Sequence, residues 1–297
     1  MFKKLVNEST LRFILKADGP VLINDGAGSK IDPALTDMSF VRCRRGNSYT
    51  VYIPGSSIKG VFRTRYEQLM RAIEMPVGDK CMNGMRCFDH DNNHEKEIDD
   101  LFESSKGSIL YAESCSVCRL FGNLSLAGRV RFSDAYPISD EQPEFGMRHG
   151  VGISRITGAA HPGALFDLEI LEKGLFEVHI RLTNFGLYQL RLLLWIIQDI
   201  NDGMVTFGMG GSRGNGQMRI HEIEKIHLLY RFYIKGNSIS KIRGYFSNDT
   251  GENMTFHPTV YGCDKELVGM TEILTSIGIN NSDDLRTAMQ REPWKMK

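Results

Sequence analysis

No stretch of this 297-residue sequence approaches the roughly 20 consecutive apolar residues that span a bilayer; the longest apolar run, residues 192–197, is bounded by Arg191 and lies two residues before Asp199. The first residues, MFKKLVNEST, lack the apolar stretch of a secretion signal. A cytoplasmic protein with no membrane partner is therefore expected. Excess charge is missing too: 36 Lys and Arg balance 36 Asp and Glu. That excludes a uniformly basic polyanion binder and makes any nucleic-acid groove a local one. Cysteines are too clustered for a disulfide framework, since four of the six fall between residues 81 and 118, a pattern that fits metal binding better.

With 41% hydrophobic and 24% charged residues, the chain is long enough for one elaborated domain or two small ones. Alternation over 10–16 puts Leu11, Phe13 and Leu15 on one face, which reads as a half-buried strand. From 18 to 48, Gly, Asp, Asn, Pro and Ser predominate and a long loop is expected. Pro54 and Gly55 end it, and Ser56 or Ser57 is placed to cap a helix with Ile58, Phe62, Leu69 and Ile73 inward. Periodicity fails over 76–118 and resumes at Val130 and Phe132, with Arg129 and Arg131 on the opposite side. Strand-like runs at 164–171 and 176–182 follow, joined by Glu172-Lys173-Gly174. A second helix is expected near 187–200 with Leu190, Leu193, Leu194 and Ile197 inward, and a last alternating run covers 217–223. If 164–182 counts as one hairpin unit, the order is α+β, a ferredoxin-like βαββαβ core.

Five constellations carry chemistry. In Ile53-Pro54-Gly55-Ser56-Ser57-Ile58-Lys59-Gly60-Val61-Phe62-Arg63, free amides at a helix start meet Lys59 and Arg63 one turn apart, the elements of a phosphate seat. An ordinary capped helix with a basic side is the alternative. In Thr206-Phe207-Gly208-Met209-Gly210-Gly211-Ser212-Arg213-Gly214-Asn215-Gly216, five glycines surround one arginine before the last strand, leaving amides, notably at Gly210 and Gly211, and Arg213 to face an anion. No Lys-Ser/Thr pair follows, so it is not a Walker loop. Cys115-Ser116-Val117-Cys118 places two thiolates on one metal, and Cys81 and Cys87 supply a second pair for structural zinc, with His90 or His94 as alternatives. Arg42, Arg44 and Arg45 stand where they can reach phosphates, although such runs often form solvated faces. The segment 152–169 reads by itself as a loop entering a strand.

Together these strings resemble the RAMP proteins, which include the backbone subunits of type III CRISPR effector complexes: IPGSSIKG is similar to their IPGSSLKG signature, and the glycine loop to their G-x-G-x-x-R-G-x-G loop. The resemblance spans about 10–228. It implies a core over 1–229 with a zinc-knuckle insertion at about 76–125, a thumb hairpin at about 137–163, and a C-terminal extension over 230–297. Ile153-Ser154-Arg155-Ile156-Thr157-Gly158 is similar to the thumb, which implies RNA near Arg148, His149 and Arg155, with Phe145 and Met147 as apolar wedges. Arg42, Ser56, Ser57, Lys59, Arg63, Gly210, Gly211 and Arg213 are the remaining RNA-binding residues implied. By the family's spacing, Asp37, or alternatively Asp32, takes the role of the aspartate that supports Mg- or Mn-dependent cleavage of target RNA. The implied partners are guide crRNA, complementary target RNA, further copies of the chain and other CRISPR effector subunits. The rival readings are a catalytically inert crRNA scaffold and an unrelated zinc protein or nucleotide-binding enzyme.

Overall fold

Alternation at the start of the chain builds the middle of a sheet. In a computed structural model, which describes residues 5–24, 38–75, 111–112, 114–123, 126–138, 142–231, 240–246, 248–259, 262–267 and 270–290, β1 (Asn7–Ala17) turns Leu11, Phe13 and Leu15 into the core. A short ribbon follows, β2 (Arg42–Arg45) and β3 (Ser48–Val51), leading into α1 (Gly55–Ala72). Next come α2 (Ser116–Phe121), β4 (Val130–Phe132) and β5 (Tyr136–Pro137). The long strands β6 (Glu144–Ile153) and β7 (Ala160–Lys173) precede β8 (Leu175–Thr183), α3 (Leu187–Asn201) and β9 (Met218–Arg231). The chain continues through β10 (Lys241–Arg243), β11 (Thr250–Asn253), β12 (His257–Thr259), β13 (Gly262–Leu267), α4 (Met270–Ile277) and α5 (Ser282–Gln290).

The main sheet runs β12-β13-β9-β1-β8-β4, with β5 also on β8. Within it, β1, α1, β4, β8, α3 and β9 supply the βαββαβ order, and their spatial order β9-β1-β8-β4 is antiparallel throughout, as in ferredoxin-like folds. Helix α3 buries Leu190, Leu193, Leu194 and Ile197 as expected, but also Leu192 and Ile196. In the last third of the chain, α4 and α5 also pack against α3. Arg286 of α5 reaches back to the carbonyl of Ile73, 2.7 Å away, at the end of α1.

Several expectations change. The run 164–171 does not pair with 176–182; it lies in β7 and pairs with β6, so the hairpin expected at 137–163 extends to Lys173. Its partner strand escaped notice because Gly146, Gly150 and Gly152 remove every sign of strand propensity from one face of β6. Those glycines have a packing reason, since a Cβ at Gly150 would stand 2.1 Å from the ring of Phe166 across the ladder. The supposed loop over 18–48 contains β2 and main-chain bridges from Val21, Asn24, Met38 and Phe40, which need no apolar period. On α1 the inward face is Ile58, Phe62, Tyr66 and Met70, with Leu69 and Ile73 at its margin. Arg129 does not face solvent. It is buried, its guanidinium donating to the Asn184 carbonyl and lying 4.0 Å from the Tyr111 ring centroid and 5.1 Å from that of Tyr245. Finally, β9 passes through residues 229 and 230, and β13 pairs along it, so the sheet is continuous across that point.

Candidate nucleic-acid interface

One end of the sheet collects the motifs. There β1 finishes at Lys16 and Ala17 opposite the beginnings of β8 and β9, paired as Lys16 with Leu175 and Ala17 with Met218. The glycine loop enters this end ahead of β9, and the long hairpin feeds β8. The start of α1 joins them through the bridge between Ile53 and Ala135, just ahead of β5.

At the start of α1 the N-cap is Pro54, with no side-chain cap, so Ser56 and Ser57 lie inside the first turn instead of capping it. Asp134 replaces them: its Oδ1 accepts the Gly55 amide at 2.8 Å. Glycine is required at 55 because a Cβ would fall 2.5 Å from the Phe132 carbonyl oxygen. Ser56 is exposed at the corner. Lys59, one turn on, is half-buried and has no acidic partner among the described residues; burial, and then the charge of Arg63, hold its pKa below the usual lysine value. Arg63 is occupied differently, with Nε 3.1 Å from Glu67, Nη1 donating to the Gly122 carbonyl at 3.1 Å and Nη2 3.7 Å from Cys118 Sγ.

The glycine loop is held on the segment after β1. Met209 donates to the Leu22 carbonyl at 2.9 Å and Gly216 to that of Pro20 at 2.7 Å. Gly208, with φ +74°, leaves no space, since a Cβ would be 2.0 Å from the Leu22 oxygen. At the tip Gly210 is left-handed and begins a short turn over Gly211–Arg213, where Arg213 is exposed without an acidic partner among the described residues. Asn215, buried beneath the loop, accepts from Arg148 of β6 at 2.7 Å. This bond ties the long hairpin to the glycine loop. Asn215 was missed because an Asn between two glycines reads as a turn former.

The hairpin also holds the chain that emerges at Met38. Met38 donates to the Asp167 carbonyl at 3.2 Å and accepts from the Glu169 amide at 2.9 Å. Glu169 then takes the Phe40 amide at 2.9 Å and both terminal nitrogens of Arg42, at 2.8 and 2.6 Å. The Arg42 bond is the main reason the Glu169 carboxyl sits below its ordinary pKa, burial acting against it, and the same bond raises Arg42. Phe145 packs edge-on against Phe40, 5.6 Å between centroids, so that side chain is taken up in the hairpin base. Exposed apolar side chains lie farther out: Met147, Val151, Ile153, Leu165 and, at 97% exposure, Ile156. Arg155, at the turn, is exposed. His149 faces Asp167 across the ladder, 2.7 Å apart.

Asp32 and Asp37, with Cys81, Cys87, His90 and His94, lie outside the described residues. Of the expected zinc ligands, Cys115 and Cys118 are described; both are buried and free of disulfides. Their mutual hydrogen bond and burial push the Cys118 thiol up, while Arg63 and Asn123 pull it down. Two facing buried thiols match half of a tetrahedral donor set, and no group of three or more metal-ligating side chains occurs among the described residues. No helix among them is long and apolar enough to cross a membrane.

Among curated proteins none matches this sequence. A family model described as the RAMP superfamily matches residues 14–219, from within β1 to the beginning of β9. That stretch exceeds half of the chain and holds the βαββαβ elements, the α1 corner, the long hairpin and the glycine loop. The chain belongs to the RAMP superfamily, a family associated with CRISPR-related RNA-binding complexes.

Proposed function

We propose that this protein is a repeating backbone subunit of a type III CRISPR effector complex, in which it binds guide crRNA and the complementary target RNA. The observation that carries the reading is the convergence at one sheet end of two cations with no acidic partner among the described residues, Lys59 and Arg213, with the hairpin locked to the glycine loop by Arg148 and Asn215. A backbone subunit reads phosphates and shape and leaves sequence to base pairing. Ser56, Ser57 and Lys59 take phosphate oxygens at the helix corner, and Gly210, Gly211 and Arg213 take them at the loop. Arg63 and Arg42 act by positioning: one holds α1 to α2, the other holds the 38–42 segment to the hairpin. The hairpin is the thumb, with Arg148 and Arg155 along it, and its exposed Met147, Ile153 and Ile156 suit an apolar wedge between strands. Zinc, held by Cys115 and Cys118 with Cys81 and Cys87, is a structural staple; His90 and His94 are the alternative ligands.

Cleavage of the target is assigned to Asp37, with Asp32 second, supporting a Mg or Mn ion that stabilises charge developing at the scissile phosphate. The anchoring of Met38 and Phe40 on the hairpin supports this choice, because it fixes the main chain immediately after Asp37 beside the thumb. The test is assembly on guide RNA with the other subunits, followed by addition of labelled complementary RNA and manganese. The wild type is expected to cut, and Asp37→Ala is expected to bind the target equally well and cut at least about a hundredfold more slowly. Undiminished cutting by the variant removes Asp37 from the site, and a wild type that binds without cutting leaves an inert scaffold.

A further inference from the structure

Between residues 38 and 66 there are five arginines and one lysine and no Asp or Glu, in a chain whose charges otherwise balance. Arg42, Arg63 and Arg65 are paired with Glu169, Glu67 and Asp199, and Lys59 belongs to the helix corner. Arg44 and Arg45 remain, adjacent on β2 and exposed. Neither has an acidic partner among the described residues: Arg44 Nε donates to the Gly46 carbonyl at 3.3 Å, and Arg45 lies over the Tyr136 ring, 4.3 Å from its centroid.

Both arginines stand beside aromatic rings. The β2–β3 register sets Arg44 opposite Tyr49, which is 79% exposed. On the other face of the ribbon, Tyr136 under Arg45 is stacked with Tyr52, 5.9 Å between centroids at 22°. One face thus joins the Arg45 guanidinium to a phenol ring, and on the other the Tyr49 ring, cross-strand from Arg44, has its surface open. An acidic peptide would occupy the arginines and leave Tyr49 unused. An unpaired nucleotide occupies both, its base on the ring and its phosphate on the cation.

We propose that the β2–β3 ribbon is a second contact for single-stranded RNA, with Tyr49 stacking on an unpaired base and Arg44 and Arg45 engaging the flanking phosphates. This rests on the RNA-binding reading above and extends its track: only residues 52–54 separate β3 from α1, which sets the ribbon beside the α1 corner in the chain.

The test uses the full chain, an unstructured labelled RNA and a titration at several salt concentrations, with thermal unfolding as a check that the variants are folded. Tyr49→Ala is expected to weaken binding roughly tenfold with an unchanged salt slope, and Tyr49→Phe to bind as the wild type. The double variant Arg44→Ala, Arg45→Ala is expected to reduce the slope by about 1 to 2, and the corresponding double lysine variant to retain it. Wild-type affinity and slope in all the variants overturn the proposal while leaving the α1 and glycine-loop reading intact. So does unchanged RNA binding together with loss of a protein partner during assembly, which makes the ribbon a protein contact. A wild type that binds no RNA overturns the parent reading and this one together.

Discussion

Lys59 is held in a position that an unbound protein does not favour: half-buried, beside Arg63, and without a carboxylate among the described residues. Burial and like charge both act against its ammonium form, and an arriving phosphate relieves both. Lys59→Ala is therefore predicted to weaken RNA binding uniformly across sequences and to lower the salt slope by about 1, measured by titration at several ionic strengths. Glu169 has the opposite character, since its partners are all internal. Its lowered pKa means that its contribution is complete above the unfolded carboxylate value of about 4.3 and disappears as the pH falls through the lower folded value. Glu169→Gln is predicted to lower stability at pH 7 by about 1 kcal/mol, a modest figure because Arg42 is partly exposed. Denaturant melts of the two proteins should converge only once the pH has fallen below the lowered pKa of the folded Glu169 carboxyl. None of this distinction was legible in sequence: Arg42, Lys59 and Arg63 all read as basic residues near a motif, and only the positions of Glu169, Gly122 and Cys118 separate the committed cations from the available one.

Elements differed in how plainly they announced themselves. Strand β1 and helix α3 were legible because their periods of two and 3.6 are imposed by burial against a single core. Strand β6 was not, because a ribbon standing away from that core needs no apolar face, and its glycines make space for Phe166. The glycine loop was legible as a loop, but the reason for each glycine was not. Gly208 sits at positive φ against the Leu22 carbonyl, and Gly216 at φ +88° against that of Phe207. Gly208→Ala is predicted to cost about 2 kcal/mol or more, from left-handed strain and main-chain collision together. Because the loop would lift from residues 20–22, RNA affinity should fall along with the midpoint of thermal unfolding, whereas Gly214→Ala, with open space around it, should show the backbone penalty with little steric cost. Differential scanning calorimetry of both variants makes the comparison.

At the scale of the molecule, a chain of zero net charge can bind a polyanion only if its charges are sorted, and they are: residues 38–66 carry cations alone, at the sheet end where the glycine loop and long hairpin also arrive. The βαββαβ order was readable from the sequence, whereas the way the C-terminal segment extends the sheet through β13 and covers α3 was not, because 230–297 shows no period or repeat of its own. This sorted end is where RNA binding is proposed. That binding is tested most directly by titrating an unstructured single-stranded RNA with the full chain between low and physiological salt. The logarithm of the binding constant is expected to fall linearly with the logarithm of the salt concentration, with a slope smaller in Lys59→Ala and in Arg213→Ala by about 1 each. Binding that is absent at low salt, or that ignores salt and both substitutions, contradicts the proposal.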